Sequence, residues 1–488
     1  MPGGESQERV LNRSRTLISR LRGMLAVVVA ATSAVMLSAS PASAQSVIRD
    51  TEIEAILREW SDPVFDAMGL EPDQVTILLI NDRSLNAFAT RGRIVGFNTG
   101  LILETDNPGQ LLGVIAHEAG HVKNRHTLRD GAQQEGMGTF LMTMALGVLA
   151  AAAGAPDAGV ALMGSSNYFA TLSALRYMQS QEGEADLTAA RALERAGESG
   201  RGLVEFFEEF RSQELFSDQR RYPYFRSHPL SSDRIEALRR PVEAAAHYSH
   251  VDPPERLAQH ALIIAKIHAF MEPPAQTLRR YPESDTSYPA RYARAIAWYR
   301  DGQTDRALTA VDALKTEQPD NPYLWELRGQ ILFEEGRPGE AVDAHRRAVE
   351  LMPNAPLLQI NLGHALIETN DRANLDAAVL YLRRATVEEP DNTMAWRLLS
   401  QAYASQGKEG EARLASAELN AAAGREEQAV QFALRARELL PRDSIEWRRA
   451  MDIVLASGAT QSDVEDLDRR MERRRERNPT PIEPAPQN

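Results

Sequence analysis

The sequence predicts an α+β domain followed by an all-α solenoid of helical repeats. Strand-like runs at Val75 to Ile80 and Arg93 to Asn98 lead into an apolar helix, Leu111 to Ala116, that ends in His117-Glu118-Ala119-Gly120-His121. Further on, Pro319 and Pro353 stand 34 residues apart with small residues at matching positions between them, the period of a tetratricopeptide array. All 488 residues lack cysteine, so thiol chemistry is excluded and both domains must be held by core burial.

The chain opens on Arg9, Arg13, Arg15, Arg20 and Arg22, an apolar run from Met24 to Leu37, and Ala42-Ser43-Ala44 before Gln45. That order reads as a signal peptide over 1–44 with cleavage after Ala44, although Met24 is an alternative start. A single membrane anchor would want a longer apolar span. Losing five basic and two acidic residues with the leader takes the net charge from −13 to about −16, which disfavours nucleic acid as a partner.

The first mature domain is expected over 45–255. Asp106-Asn107-Pro108 is a helix start signal, so the two histidines four apart share one helical face and can ligate one metal ion. Glu118 between them is placed to act as base on a water, which makes hydrolysis, of a peptide bond, the expected reaction. Catalytic zinc needs a third protein ligand. Gln181 to Asp186 reads Gln-Glu-Gly-Glu-Ala-Asp on a helical stretch, which offers Glu182 or Glu184 as ligand and Asp186 as the carboxylate that orients a histidine. Spacing alone leaves the two glutamates open. His126 lies five residues past His121, an offset that turns it off the ligand face of a continuing helix.

Between Glu135 and Arg176 only Asp157 is charged. Because His121 and Glu182 must meet, the segment has to leave and return, with its turn at Gly154-Ala155-Pro156-Asp157, so a hydrophobic helical hairpin is expected over about 136–175. Its Gly, Ala, Ser, Met and Thr content favours a flap over the cleft, with peripheral membrane contact as the alternative and a spanning pair least favoured. The stretch Asn86, Ala87, Phe88 is the candidate edge strand for pairing with substrate main chain, set against a purely structural hairpin.

HExxH followed by Glu182-Gly183-Glu184-Ala185-Asp186 resembles the gluzincin metalloprotease family that includes the CAAX prenyl endoprotease. The resemblance implies one zinc ion per chain, prefers Glu182 as its ligand beside His117 and His121, and gives Asp186 the orienting role. It extends to Ser227 through Ile235, similar to the family's HPxxxxRI segment, and so implies active-site positions for His228 and Arg234. His228 would donate to the tetrahedral oxyanion, or close the site as a fourth zinc ligand until substrate displaces it. Arg234 would supply positive charge.

Residues 256–284, with Pro273-Pro274 and Pro282, read as a helical connector. Repeats follow over 285–441: Trp298, Gly302, Ala307 and Pro319 in one unit, and Trp325, Gly329, Gly336, Ala341, Ala348 and Pro353 in the next. Pro390 comes 37 residues after Pro353, with the extra residues around Thr369 to Asn374, and a half-unit from Gly424 to Pro441 closes the array. Such stacks offer a concave face for peptides or protein segments. The remainder, 442–488, reads as a charged helix and a disordered Pro-rich tail.

An exported HExxH enzyme with C-terminal repeats resembles the periplasmic branch of that family that serves outer-membrane barrel assembly in Gram-negative bacteria. The resemblance implies a protease for stalled or misfolded outer-membrane proteins, with repeats that bind clients or the barrel assembly machinery. The competing expectation is a repeat-based periplasmic chaperone or adaptor whose protease domain is largely latent.

Overall fold

The computed structural model describes residues 47–126, 167–214, 224, 228 and 230–458. The expected signal peptide, the expected hairpin up to residue 166 and the tail beyond 458 lie outside the described residues, while the last part of that hairpin, 167–175, belongs to the helix Asn167–Arg195. Among the described residues no helix is long and apolar enough to cross a membrane.

An entry helix, Thr51–Met68, starts where Asp50 accepts from the amides of Glu52 and Ile53, and ends at Gly69 with φ 69°, a left-handed cap that a side chain would strain. Three longer strands follow. Thr76–Ile80 and Ile94–Asn98 run parallel as neighbours, and Ala87–Thr90 pairs antiparallel with the latter at the sheet edge. The two strand-like runs are therefore adjacent, with the candidate edge strand outside them. Phe88 lies across Gly96, whose missing side chain makes the room.

The sheet packs on the metal helix, Pro108–Lys123, which begins with Pro108 at its first turn and Asn107 accepting from Gln110 N–H. Nearly all of that helix is buried, as its apolar run requires. Two partners cross it: the carboxylate helix Asn167–Arg195, and Arg201–Glu214. A Cβ on Gly120 would stand 2.8 Å from the Ala185 carbonyl, so the absent side chain sets how near the histidines come to the Glu182 turn. The core of this domain gathers Trp60, Phe65, Phe97, Leu101, Phe206 and Phe210.

The connector helix Pro254–Met271 has two apolar faces. Ile263 and Ile267 enter the first core, while Leu262, Ala265 and Ala269 enter that of the solenoid. Paired helices follow at Tyr288–Arg300 with Thr304–Glu317, Pro322–Glu334 with Pro338–Leu351, Pro356–Glu368 with Leu375–Glu388, and Thr393–Ser405 with Glu409–Ala422. The longer 37-residue unit holds its extra residues in a short 3-10 turn, Arg372–Asn374. Glu426–Leu439 does not end the array. Ile445–Ala456 packs on it through Ala450, Ile453 and Val454, so the helices run past Pro441.

The two domains meet through charge. Lys266 of the connector lies 2.8 Å from Asp50 and 2.9 Å from Glu52, Thr51 Oγ1 donates to Glu326 at 3.0 Å, and Arg49 forks onto Glu389.

Candidate metal centre

One turn of the metal helix brings His117 and His121 to a common point, with their Nε2 atoms 3.2 Å apart. The carboxylate helix supplies Glu182, whose oxygens lie 3.4 Å from each of those nitrogens. His228 Nδ1 completes the group, 3.3 Å from His117 Nε2 and 3.0 Å from Glu182 Oε2. All four donor atoms lie within 4.8 Å of one another, and all four residues are buried.

These spacings test what the group can hold. Bonds of about 2.0–2.1 Å to a tetrahedral ion put neighbouring donors about 3.3–3.4 Å apart, close to the separations of 3.0–3.4 Å seen here, within a group that spans up to 4.8 Å. Three imidazole nitrogens and one carboxylate oxygen therefore fit a divalent transition metal. Glu118 stands beside the cluster with both carboxyl oxygens buried and without a protein hydrogen bond, 3.6 Å from His228 Nε2. A base that must turn to a water is best left in that state.

Asp186 and Arg234 frame the cluster. Asp186 Oδ1 lies 2.9 Å from His117 Nδ1, an approach off the ring N–H direction. Arg234 donates through Nε and Nη2 to the two Asp186 oxygens at 2.6 and 2.9 Å, and Nη1 lies 3.0 Å from Glu182 Oε2. Its guanidinium also covers the Phe207 ring at 4.8 Å. Arg234 thus faces the ligand carboxylate and the orienting carboxylate, which makes positioning, rather than an oxyanion contact, the role its geometry offers.

Charge in this buried volume favours a cation. Burial would lower the His117 imidazole, but Asp186 and Glu182 outweigh it and push it up to about 9. Burial would raise Glu182, and His228 and His117 hold it far below the usual carboxylate range instead. His121 is driven well below its ordinary value by burial and by His117, so its lone pair is free for a metal. Burial pushes the Glu118 carboxyl up, partly opposed by His228 and His117, the direction a general base at neutral pH needs.

Of the two candidate glutamates, Glu182 points into the cluster and Glu184 points out, with a side chain 60% exposed. The edge strand Ala87–Thr90 packs against the metal helix, with Ala87 fully buried and Asn86 accepting from Asn98 N–H just before the strand begins. Sequence reasoning missed two neighbours. Tyr224 stacks on His228, and nothing in its spacing signals this. His126, set aside on helical geometry, lies against His121.

Residues 48–242 match the model of peptidase family M48, and residues 307–443 match the cytochrome c-type biogenesis protein H TPR domain. The chain is 28% identical over 423 residues to a putative beta-barrel assembly-enhancing protease of Vibrio cholerae, covering 82% of this chain and 83% of that one. It is 27% identical over 372 residues to the beta-barrel assembly-enhancing protease of Escherichia coli, covering 72% of each. Among solved structures, YrrB, described as a TPR protein with an unusual peptide-binding site, covers 36% of this chain and 90% of its own at 20% identity and a TM-score of 0.30.

Proposed function

Residues 48–242 being a peptidase family M48 domain and the chain a metallopeptidase, we propose that it is a zinc-dependent endopeptidase of the periplasm that removes stalled or misfolded outer-membrane proteins. One observation carries the zinc reading: four buried donor residues whose ligand atoms lie within 4.8 Å of one another, with a buried glutamate that makes no protein hydrogen bond beside them. The names of the relatives supply the link to barrel assembly, and the TPR region is the part suited to bind clients or the assembly machinery.

His117, His121 and Glu182 would hold the ion, with Asp186 and Arg234 fixing the orientation of His117 and Glu182. Zinc when bound supplies a Lewis acid and lowers the pKa of its water. Glu118 accepts the proton of the attacking water on a carboxyl oxygen and delivers it to the leaving amine nitrogen as the C–N bond breaks. The edge strand at Asn86, Ala87 and Phe88 aligns the substrate main chain by β-pairing, which gives affinity without demanding a sequence. His228 occupies the fourth donor position in this structure, so its departure opens the site, after which its ring can donate to the oxyanion.

The closed His228 position also favours the second reading, a TPR-based chaperone or adaptor with a largely latent protease. Metal content and cleavage of an unfolded protein, measured for the mature wild type and Glu118→Gln, test both. One equivalent of zinc in each, with cleavage by wild type alone, is the expected result. Zinc in both with cleavage by neither promotes the adaptor reading, and cleavage by Glu118→Gln at the wild-type rate removes Glu118 from the mechanism.

A further inference from the structure

A histidine that ligates a metal through one ring nitrogen needs a partner for the N–H on the other, because that partner fixes tautomer and ring orientation. His117 has Asp186. His121 faces a second histidine instead: His126 Nδ1 lies 3.1 Å from His121 Nδ1, with ring centroids 5.0 Å apart and planes at 73°. His126 is itself buried, at 1% exposure, and its Nε2 lies 3.4 Å from Glu184 Oε2 on the carboxylate helix.

The local chain explains this placement. The metal helix stops at Lys123, Asn124 caps it, and Arg125 takes a left-handed φ of 57°, which folds His126 back against the last turn. Asn124 Nδ2 donates to Thr188 Oγ1, one turn along the carboxylate helix from Glu184, and so fastens the bend to the element His126 must reach.

Only one direction of hydrogen bonding is consistent with ligation. If His121 Nδ1–H donates to His126 Nδ1, then His126 carries its proton on Nε2 and donates it to the Glu184 carboxylate, and His121 presents a bare Nε2 to the cluster. The reverse direction would put a proton on His121 Nε2, where a metal must bind, and would set a bare His126 Nε2 against a carboxylate. We propose that His126 is a positioning residue for the metal centre, the acceptor that locks His121 in its ligating tautomer and passes the chain outward to Glu184. The two histidine ligands are then unequally supported: His117 by a buried carboxylate tied to Arg234, and His121 by a neutral ring whose own anchor stands in solvent.

The proposal rests on the metal reading of the site and not on any substrate. Its test is zinc affinity of the full mature chain, by competition with a chromophoric chelator, for wild type, His126→Leu, His126→Asn and Glu184→Gln. Leucine fills the volume without an acceptor, whereas the asparagine carbonyl oxygen reproduces the position of Nδ1. The expected result is roughly 10- to 100-fold weaker binding for His126→Leu, recovery of most of that loss by His126→Asn, and a smaller effect of Glu184→Gln. Wild-type affinity in His126→Leu, or loss equal in the Leu and Asn variants, overturns the role of His126 alone. A wild-type chain that takes up no zinc overturns the reading of the site itself.

Discussion

Tyr224 lies nearly flat on His228, with ring centroids 4.6 Å apart and planes at 27°. His228 N–H donates to the Tyr224 carbonyl at 2.8 Å, and Tyr224 N–H donates to the carbonyl of Leu85, two residues before the edge strand. The histidine in the fourth donor position therefore hangs from the strand that a substrate main chain would pair with. Removing the stacked ring while keeping its bulk should favour departure of His228. A ring pair is worth about 0.5–1.5 kcal/mol, so Tyr224→Leu should raise the open population and basal cleavage of an unfolded protein roughly two- to tenfold. Steady-state kcat/KM decides this, and a fall without loss of bound zinc would show that the tyrosine serves catalysis in another way.

Arg234 neutralises two buried carboxylates at once. Its loss in Arg234→Leu leaves the buried Asp186 without its forked guanidinium, while His117 and His228 still face Glu182, a change expected to cost about 3–5 kcal/mol in the metal-free protein. Arg234→Lys should restore only part, because a lysine cannot fork onto Asp186 while reaching Glu182. Urea unfolding of the chelated protein measures both, and an unchanged midpoint for the leucine variant would mean that the carboxylates find another partner.

The residues of the candidate metal cluster were legible because they are local: two histidines within one helical turn, and a Glu and an Asp within another, keep their relative positions in any fold that keeps the helices. His126 was lost for the complementary reason, since extrapolating 100° per residue past Arg125 assumes a helix that a left-handed residue has ended. Strand neighbours were not legible either. Thr76 pairs directly with Ile94 although the edge strand lies between them in the chain, and no local pattern announces that order. Lys266 and Asp50 are 216 residues apart, and neither carries any local sign of the other.

Two buried histidines should each cost stability on mild acidification. Burial lowers His345 in the solenoid to about 4, and lowers His260, which shares a proton with Thr105 Oγ1, to about 4 as well. Between that value and about 6.5 the unfolded chain binds protons that the folded chain refuses, so stability present above pH 6.5 is lost as pH falls toward 4, by up to roughly 3 kcal/mol per histidine. His345→Asn should flatten this dependence in part. Urea midpoints at pH 5 and pH 7 for wild type and variant give the comparison, and identical slopes would show that His345 is not the titrating group.

Lys266 closes the contact between the domains from the connector, at 4% exposure, with Glu52 beside it at 3%. Replacing it with methionine leaves Glu52 buried without a cation beside Asp50, which should destabilise the docked arrangement by about 3–5 kcal/mol and open the entry helix to limited proteolysis. Glu52→Gln added to Lys266→Met should recover part of the loss, since the two changes share one interaction. Glu326, a few ångströms away through Thr51, should behave differently. Burial and Asp50 push it up to about 8, so at pH 7 it is mostly a neutral acid in the folded chain but ionised in the unfolded one, and Glu326→Gln should cost nothing there and stabilise instead. Because the unfolded glutamate ionises near 4.5, wild-type stability falls as pH rises from there and the loss is complete once pH passes about 8, a loss that the glutamine variant does not share. Unfolding midpoints that diverge in favour of the glutamine variant as pH rises from about 4.5 to about 8, and keep a constant gap above that, are the expected pattern, and a large loss in the variant at pH 7 would mean that Glu326 is held as a carboxylate after all.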